Sequence, residues 1–151
     1  MQKNIYSEED SVKDPTFYYY LKMLDLLNES NLLVLSPVHH YYYDINELKT
    51  VRTLVHTKEL NNIGNLKRFI NNTVHVLSSN SKFIGCFIDN RVHKKFIYGN
   101  KMLYWVNNCL STQVHRYLSR KQIVKMFKDY GFDVVDISEI NGISYFCVKK
   151  I

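Results

Sequence analysis

The chain has 151 residues, enough for one domain with a single hydrophobic core. With 46% hydrophobic and 23% charged residues its composition is that of a globular domain, which argues against disorder, and its apolar runs fall short of the roughly 20 residues that span a bilayer. Lysine and arginine number 20 against 14 aspartates and glutamates, a net charge of +6 that leaves anionic partners open.

The N-terminal segment and the cysteines indicate the cellular setting. Residues 1–13 are polar and acidic and lack the basic start and apolar stretch of a secretory signal. We expect a polar segment over 1–13, one domain over 14–151, a cytoplasmic location and no membrane partner. Cys86, Cys109 and Cys147 are odd in number and lie in apolar segments, which predicts reduced core thiols. No metal site is expected, because no paired Cys-x-x-Cys or His-x-x-x-His spacing occurs.

Three helices are predicted in chain order. The first begins at Asp14, an N-cap followed by a proline, and runs to about residue 28 with apolar residues on one face. The second covers about 60–78, where apolar residues recur with helical spacing. The third has Ser119 as N-cap, a glutamine three residues later that completes a capping box, and Gly131 just past its end.

Five strands are predicted around these helices. They cover residues 31–37, 51–56, 82–89, 133–140 and 143–150. The last two flank Asn141 and Gly142, the strongest short signal for a tight hairpin. Because strands alternate with helices, we predict an α/β fold with a mainly parallel sheet covered on both faces, ending in an antiparallel β-hairpin.

Two stretches of the chain carry a family pattern. The first, NLKRFINNTVHVLSSNSKFIGCFID, joins the second helix to the third strand. The second, LSRKQIVKMFKDYGFDVVDISEINGISYFCVKK, runs from a helix ending in Tyr-Gly-Phe to the final hairpin. Over residues 60–150 this order of elements resembles the C-terminal half of class I S-adenosylmethionine-dependent methyltransferases. The resemblance implies a shortened, Rossmann-like sheet of the methyltransferase type.

The first half of the chain departs from that family's pattern. The family places a glycine-rich turn after its first strand, because the cofactor approaches the backbone closely there. Here Pro37 follows the first strand, residues 1–63 contain no glycine, and too few residues remain for the family's second and third strands. We therefore assign no cofactor-binding residue and expect no cofactor, although S-adenosylmethionine is the one that the resemblance implies.

The candidate site residues follow two predicted strands. Six of them form the most unusual segment of the chain: His39, His40, Tyr41, Tyr42, Tyr43 and Asp44. They come directly after a strand, where ligands of open α/β sheets bind, and Asp89 is expected at the same end of the sheet. The alternatives are an aromatic loop packed over the sheet or at an interface, and for Asp89 a residue that merely starts a loop. No catalytic residue can be assigned.

Three functions are compatible with these features. The first, which the missing glycine turn favours, is a non-catalytic methyltransferase-like domain that acts by protein interaction, with a partner or a second copy completing the short sheet. The second is an S-adenosylmethionine-dependent methyltransferase with a divergent or partner-completed cofactor site. The third is a small nucleic-acid-binding domain that uses the net charge with residues 41–43 and 91–95.

Overall fold

The structure is a computed structural model that describes residues 14–35, 49–91 and 118–151. Three α-helices lie in these ranges: α1 (Pro15–Met23), α2 (Leu66–Val76) and α3 (Arg120–Asp129), with a short 3₁₀ helix at Leu60–Asn62. The strands are β1 (Leu32–Leu35), β2 (Thr53–Glu59), β3 (Lys82–Phe87), β4 (Phe132–Ile140) and β5 (Ile143–Lys150). None of these helices is long and apolar enough to cross a membrane.

All five strands form one sheet in the order β1-β2-β3-β5-β4. β1, β2 and β3 pair in parallel, whereas β5 lies between β3 and β4 and is antiparallel to both. Four strands therefore run in one direction and β5 runs in the other. This arrangement confirms the predicted α/β class, the parallel start of the sheet and its antiparallel end.

Helices cover both faces of the sheet. α2 and α3 pack on one face, where buried side chains of both helices contact buried side chains of the strands. α1 packs on the opposite face with Phe17, Tyr20 and Leu21 in a second cluster. Tyr18 and Tyr19 of the same helix are 50% and 56% exposed, because consecutive helical residues point in different directions.

Four phenylalanines fill the core beneath α3. The Phe127 ring centroid lies 4.8 Å from that of Phe146, 5.7 Å from that of Phe132 and 6.0 Å from that of Phe83. Phe146 sits directly opposite Gly85 in the β3–β5 ladder. A Cβ on Gly85 would lie 2.5 Å from Cζ of Phe146, so this ring occupies the space that any other residue would need.

The first helix begins where the sequence predicts but ends sooner. The Asp14 carboxylate accepts a hydrogen bond from the Thr16 N–H at 2.8 Å, as expected of an N-cap followed by proline. The predicted end near residue 28 is wrong, since α1 stops at Met23. Asp25 takes the left-handed conformation at φ 55°, which reverses the chain and ends the helix.

The second helix is shorter than predicted, and the third is as predicted. α2 starts at Leu66 rather than near residue 60, because Asn65 caps it by accepting the Arg68 N–H at 3.0 Å. In α3 the capping box of Ser119 and Gln122 is present in full. Gly131 then adopts φ 81° after the helix end, a conformation that glycine accepts at little cost.

Each of the five predicted strands is present in the described part of the chain, with bounds that differ by a few residues. β2 continues to Glu59, three residues past its predicted end, and β3 ends at Phe87 instead of residue 89. Asn141 and Gly142 form the predicted turn, with φ of 52° and 80°. Residues 36 and 37 of the first predicted strand lie outside the described part of the chain.

Two of the three cysteines are buried thiols, as predicted. Cys86 and Cys147 lie on neighbouring strands, and both are free. Burial raises the pKa of the Cys86 thiol to about 12 and that of Cys147 to about 11, so both stay protonated and unreactive at neutral pH. Cys109 lies outside the described residues.

The contact between Gly85 and Phe146 predicts a measurable cost of adding one methyl group. Gly85→Ala should lower the free energy of unfolding by about 1–3 kcal/mol, because the Phe146 ring is enclosed by Phe83 and Phe127 and cannot move aside freely. Urea denaturation followed by circular dichroism measures this change. Gly64→Ala is the matched control, since a Cβ there meets no atom within 4 Å, and it should change stability by less than about 0.5 kcal/mol. Equal losses in both variants would contradict this packing.

Candidate functional site

The carboxyl ends of β1, β2 and β3 meet at one edge of the sheet, since these strands are parallel. Ligands of open α/β sheets bind at such an edge. β1 ends there at Leu35, β2 ends at Glu59, and Asp89 follows β3 by two residues. The structure therefore places Asp89 at the end of the sheet that the sequence indicates.

Asp89 joins β3 to the start of α3. Its backbone forms a parallel bridge with Leu118, and the neighbouring Asn90 N–H donates to the Leu118 carbonyl at 2.7 Å. Its carboxylate, whose side chain is 1% exposed, accepts the Arg91 N–H at 2.9 Å and Nη2 of Arg91 at 2.9 Å. The Arg120 N–H donates to the same carboxylate at 3.3 Å.

These donors determine the charge state of Asp89. Burial by itself would raise the pKa of the carboxyl group, but the hydrogen bonds from the Arg91 side chain and from the Arg91 and Arg120 N–H groups outweigh it. The pKa of Asp89 is therefore held below its usual value. A carboxylate that stays ionised and is engaged by several donors is a poor general base, whereas it is well suited to fixing the first turn of α3.

A buried asparagine that the sequence did not single out holds the end of β3. Nδ2 of Asn61 donates to the Ile88 carbonyl at 3.0 Å, and the Ile88 N–H donates to Oδ1 of Asn61 at 2.7 Å. Nearby, Nδ2 of Asn62 donates to Glu59 at 3.0 Å. The sequence prediction missed these residues because it ended the strand at 56 and began a helix at 60. The available signal was the pair of consecutive asparagines, Asn61 and Asn62, at the start of that predicted helix.

A groove of about 680 Å³ runs along α3 beside this edge. Among the described residues the groove is lined by Arg91, Ser119, Arg120, Lys121, Val124, Lys125, Lys128 and Asp129. In the sequence Arg91 lies 29 positions before the first residue of α3. The fold brings Arg91 and the α3 cations together.

The other candidate residues are His39, His40, Tyr41, Tyr42, Tyr43 and Asp44, and they lie outside the described residues. Asp89 is thus the member of the predicted set that the structure positions. Within residues 14–35, 49–91 and 118–151, no group of three histidine, cysteine or acidic side chains is placed to hold a metal ion.

Comparison with known proteins gives a match in structure alone. No family model and no curated protein sequence matches the chain. Among solved structures it is similar to PigF with SAH, with a TM-score of 0.56 and 12% identity over 80% of this chain and 43% of that one. For a possible histamine N-methyltransferase from Thermotoga maritima the TM-score is 0.53 and the identity 10%, over 86% of this chain and 69% of that one. For a SAM-dependent methyltransferase from Methanosarcina mazei the TM-score is 0.52 and the identity 12%, over 67% of this chain and 59% of that one.

These likenesses, together with the strand order, define the fold. The chain has the fold of the C-terminal half of class I S-adenosylmethionine-dependent methyltransferases, as its sequence resemblance implied. It spans 43% of the length of the PigF chain and 59% of the length of the Methanosarcina mazei chain.

The described residues do not fit an S-adenosylmethionine site of the usual kind. Nucleoside cofactors of open α/β sheets need a glycine-rich turn after the first strand and an acidic residue after the strand next to it. Among the described strands β1 is the outermost, and no strand lies beside it on the side away from β2. The described sheet therefore lacks the neighbouring strand that would carry this acidic residue. The sequence after β1 also has no glycine before Gly64.

The environment of Asp89 predicts a pH-dependent stability. Asp89→Asn should lower the free energy of unfolding by about 1–3 kcal/mol at pH 7, because it removes the charge that Arg91 and the helix N–H groups bind. The pKa of Asp89 is lower in the folded chain than in the unfolded chain, where it is about 4. The stability that Asp89 contributes is therefore complete above about pH 4 and is lost as the pH falls below it. The difference between wild type and Asp89→Asn should therefore shrink below about pH 4.

Urea titrations at several pH values test this expectation. Asp133→Asn serves as the control, because it removes the same charge from an exposed position on β4. It should have little effect at any pH. A variant of Asp89 as stable as wild type at pH 7 would show that the carboxylate does not hold α3.

Proposed function

We propose that this chain is a methyltransferase-like domain that does not transfer methyl groups on its own and acts by protein interaction, with a second copy of the chain pairing along β1. The observation that carries this proposal is the position of β1 at the edge of the sheet. On the side of β1 that faces away from β2, no strand of the described residues pairs with it. An edge strand presents a row of backbone groups that can pair with another chain.

The register identifies which backbone groups point outwards. The Asn31 carbonyl accepts hydrogen bonds from the Arg52 and Thr53 N–H groups of the β2 side. In a parallel ladder alternate residues face the same neighbour, so Leu33 also faces β2. The backbone N–H and carbonyl groups of Leu32 and Val34 therefore face away from β2, towards the side on which no described strand lies.

The side chains of β1 also favour continuation of the sheet. β1 reads Leu-Leu-Val-Leu and contains none of the lysine or proline residues with which natural edge strands discourage pairing. Leu33 and Val34 are only partly buried, one against the core on each face of the sheet. A neighbouring strand would cover both. Two copies related by a twofold axis would pair β1 with β1 in an antiparallel manner and form one continuous sheet.

The same edge supports the non-catalytic part of the proposal. In the usual arrangement the cofactor lies at the carboxyl end of the first strand, in a crevice between neighbouring strands. Among the described strands none lies on the outer side of β1, so the strand order of the described sheet does not reverse beside β1, where such a crevice would form. The second candidate function, a methyltransferase with a divergent or partner-completed site, draws its support from the similarity to PigF with SAH.

Titration calorimetry separates these two functions. With S-adenosylmethionine or its demethylated product at millimolar concentration, the purified chain should give no saturable heat. PigF, whose structure contains SAH, is the positive control for the ligand. The titration is repeated at a protein concentration at which copies associate. Saturable binding in either condition would overturn the non-catalytic assignment and favour the methyltransferase.

Proline at residue 34 tests the role of β1. Val34→Pro removes an outward N–H that β2 does not use, and edge strands tolerate proline at such positions. We expect self-association, measured by light scattering over a range of concentrations, to weaken at least tenfold. Val34→Ala is the control, because it removes a similar amount of side-chain packing but keeps the N–H. A wild-type chain that stays monomeric at high concentration, or equal association of the two variants, would contradict pairing along β1.

A further inference from the structure

We propose that the groove along α3 binds the phosphate backbone of single-stranded nucleic acid. The groove lies on α3 and beside Arg91, whereas the pairing edge described above is at β1, so this inference does not depend on the proposed function. It also differs from the sequence-based hypothesis, which combined residues 91–95 with residues 41–43. Arg91 is now joined by cations of a helix that begins 29 positions later in the chain.

The first argument is the excess of positive charge in the groove. Five cationic side chains line it among the residues that the structure describes. Of these, Lys125 is paired with Asp129 at 2.6 Å and Arg91 with Asp89 at 2.9 Å. Among the described residues, no carboxylate forms a salt bridge with Arg120, Lys121 or Lys128. Three positive charges along the groove therefore remain without an ion-pair partner in the described part of the chain. They attract anions, and salt weakens this attraction.

The second argument is the linear arrangement of these charges. Lys121, Lys125 and Lys128 recur at intervals of four and three residues, so they share one face of α3. From Lys121 to Lys128 the helix rises by about 10 Å. Among the described residues, Lys121 and Lys128 stand unpaired at the two ends of this row, and Lys125 between them is paired with Asp129. A row of this length suits an extended polyanion better than a single compact anion. Arg91 also lines the groove, 70% exposed, with its guanidinium oriented by Asp89.

The third argument is an aromatic ring beside the row of cations. A second depression of about 410 Å³ adjoins the first and shares Lys125 and Asp129 with it. Its described lining includes Lys67 of α2, Met126 of α3 and Tyr130, which follows the last residue of α3. Tyr130 is half-buried, so its ring is held in place while part of it faces the depression. Proteins that bind single strands combine a basic groove with aromatic rings on which bases stack.

Binding is measured by fluorescence anisotropy with labelled mixed-sequence single-stranded oligonucleotides and with the matching duplex, from low to physiological salt. The wild-type chain should bind the single strand more tightly than the duplex, with affinity falling as salt rises. The double variant Lys121→Gln, Lys128→Gln should bind at least tenfold more weakly at low salt. The slope of log affinity against log salt should fall by about 1.4, as expected for two lost phosphate contacts.

Two further variants separate the groove from net charge. Lys58→Gln with Lys149→Gln removes the same charge from exposed positions outside the groove, and it should change affinity less than twofold. Tyr130→Leu should weaken single-strand binding about fivefold or more, as loss of base stacking does, and should leave duplex binding unchanged. Circular dichroism confirms that each variant is folded.

The outcomes that would overturn the proposal are distinct. No binding at low salt would exclude the site. Equal losses in the two lysine double variants would show a non-specific effect of charge. Duplex binding as tight as single-strand binding, or displacement of the oligonucleotide by anionic lipid vesicles at lower phosphate concentration, would assign the groove to another polyanion.

Discussion

The pairing of β5 between β3 and β4 is the interaction on which the rest of this structure depends. It places the Phe146 ring over Gly85 and against Phe83 and Phe127, so that strand pairing and core packing are achieved by the same residues. Burial of aromatic side chains of this size contributes several kcal/mol each. Because β5 pairs with both β3 and β4, this half of the core is completed only when the β4–β5 hairpin is in place.

That packing also positions the groove. Phe127 anchors α3 on the sheet, which turns the opposite face of the helix, with Lys121, Lys125 and Lys128, towards solvent. Asp89 fixes the start of the helix by binding the Arg120 N–H and by orienting Arg91. The aromatic packing beneath α3 therefore also determines that the charged face of the helix points to solvent.

Local sequence signals predicted those parts of the fold that neighbouring residues determine. The N-cap at Asp14, the capping box at Ser119 and the turn at Asn141 need only a few adjacent residues, and all three are present. The end of α1 and the start of α2 were misplaced, because apolar residues beyond the helices continue the helical spacing and pack on the sheet all the same. Leu24 and Ile63, for example, contact the two cores from outside any α-helix.

The candidate site was likewise predicted only where neighbouring residues determine it. The position of Asp89 at the carboxyl end of a strand followed from the apolar run that precedes it. Its partners did not, since Leu118 and Arg120 lie about thirty residues further along the chain and meet it only through the bridge between β3 and α3. The groove could not be inferred for the same reason. The open edge at β1 was expected from the missing strands. The residues whose backbone groups face outwards could be identified only from the register of β1 and β2.

Hydrogen exchange in β1 tests the central claim, that the sheet ends at an edge through which copies of the chain pair. Mass spectrometry at low and high protein concentration compares the peptide covering β1 with those covering β3 and β5. The account predicts that the β1 amides exchange rapidly in the monomer and become protected on association, while β3 and β5 stay protected throughout. Amides of β1 that remain equally exposed in an associated sample, or that are already protected in the monomer, would contradict it.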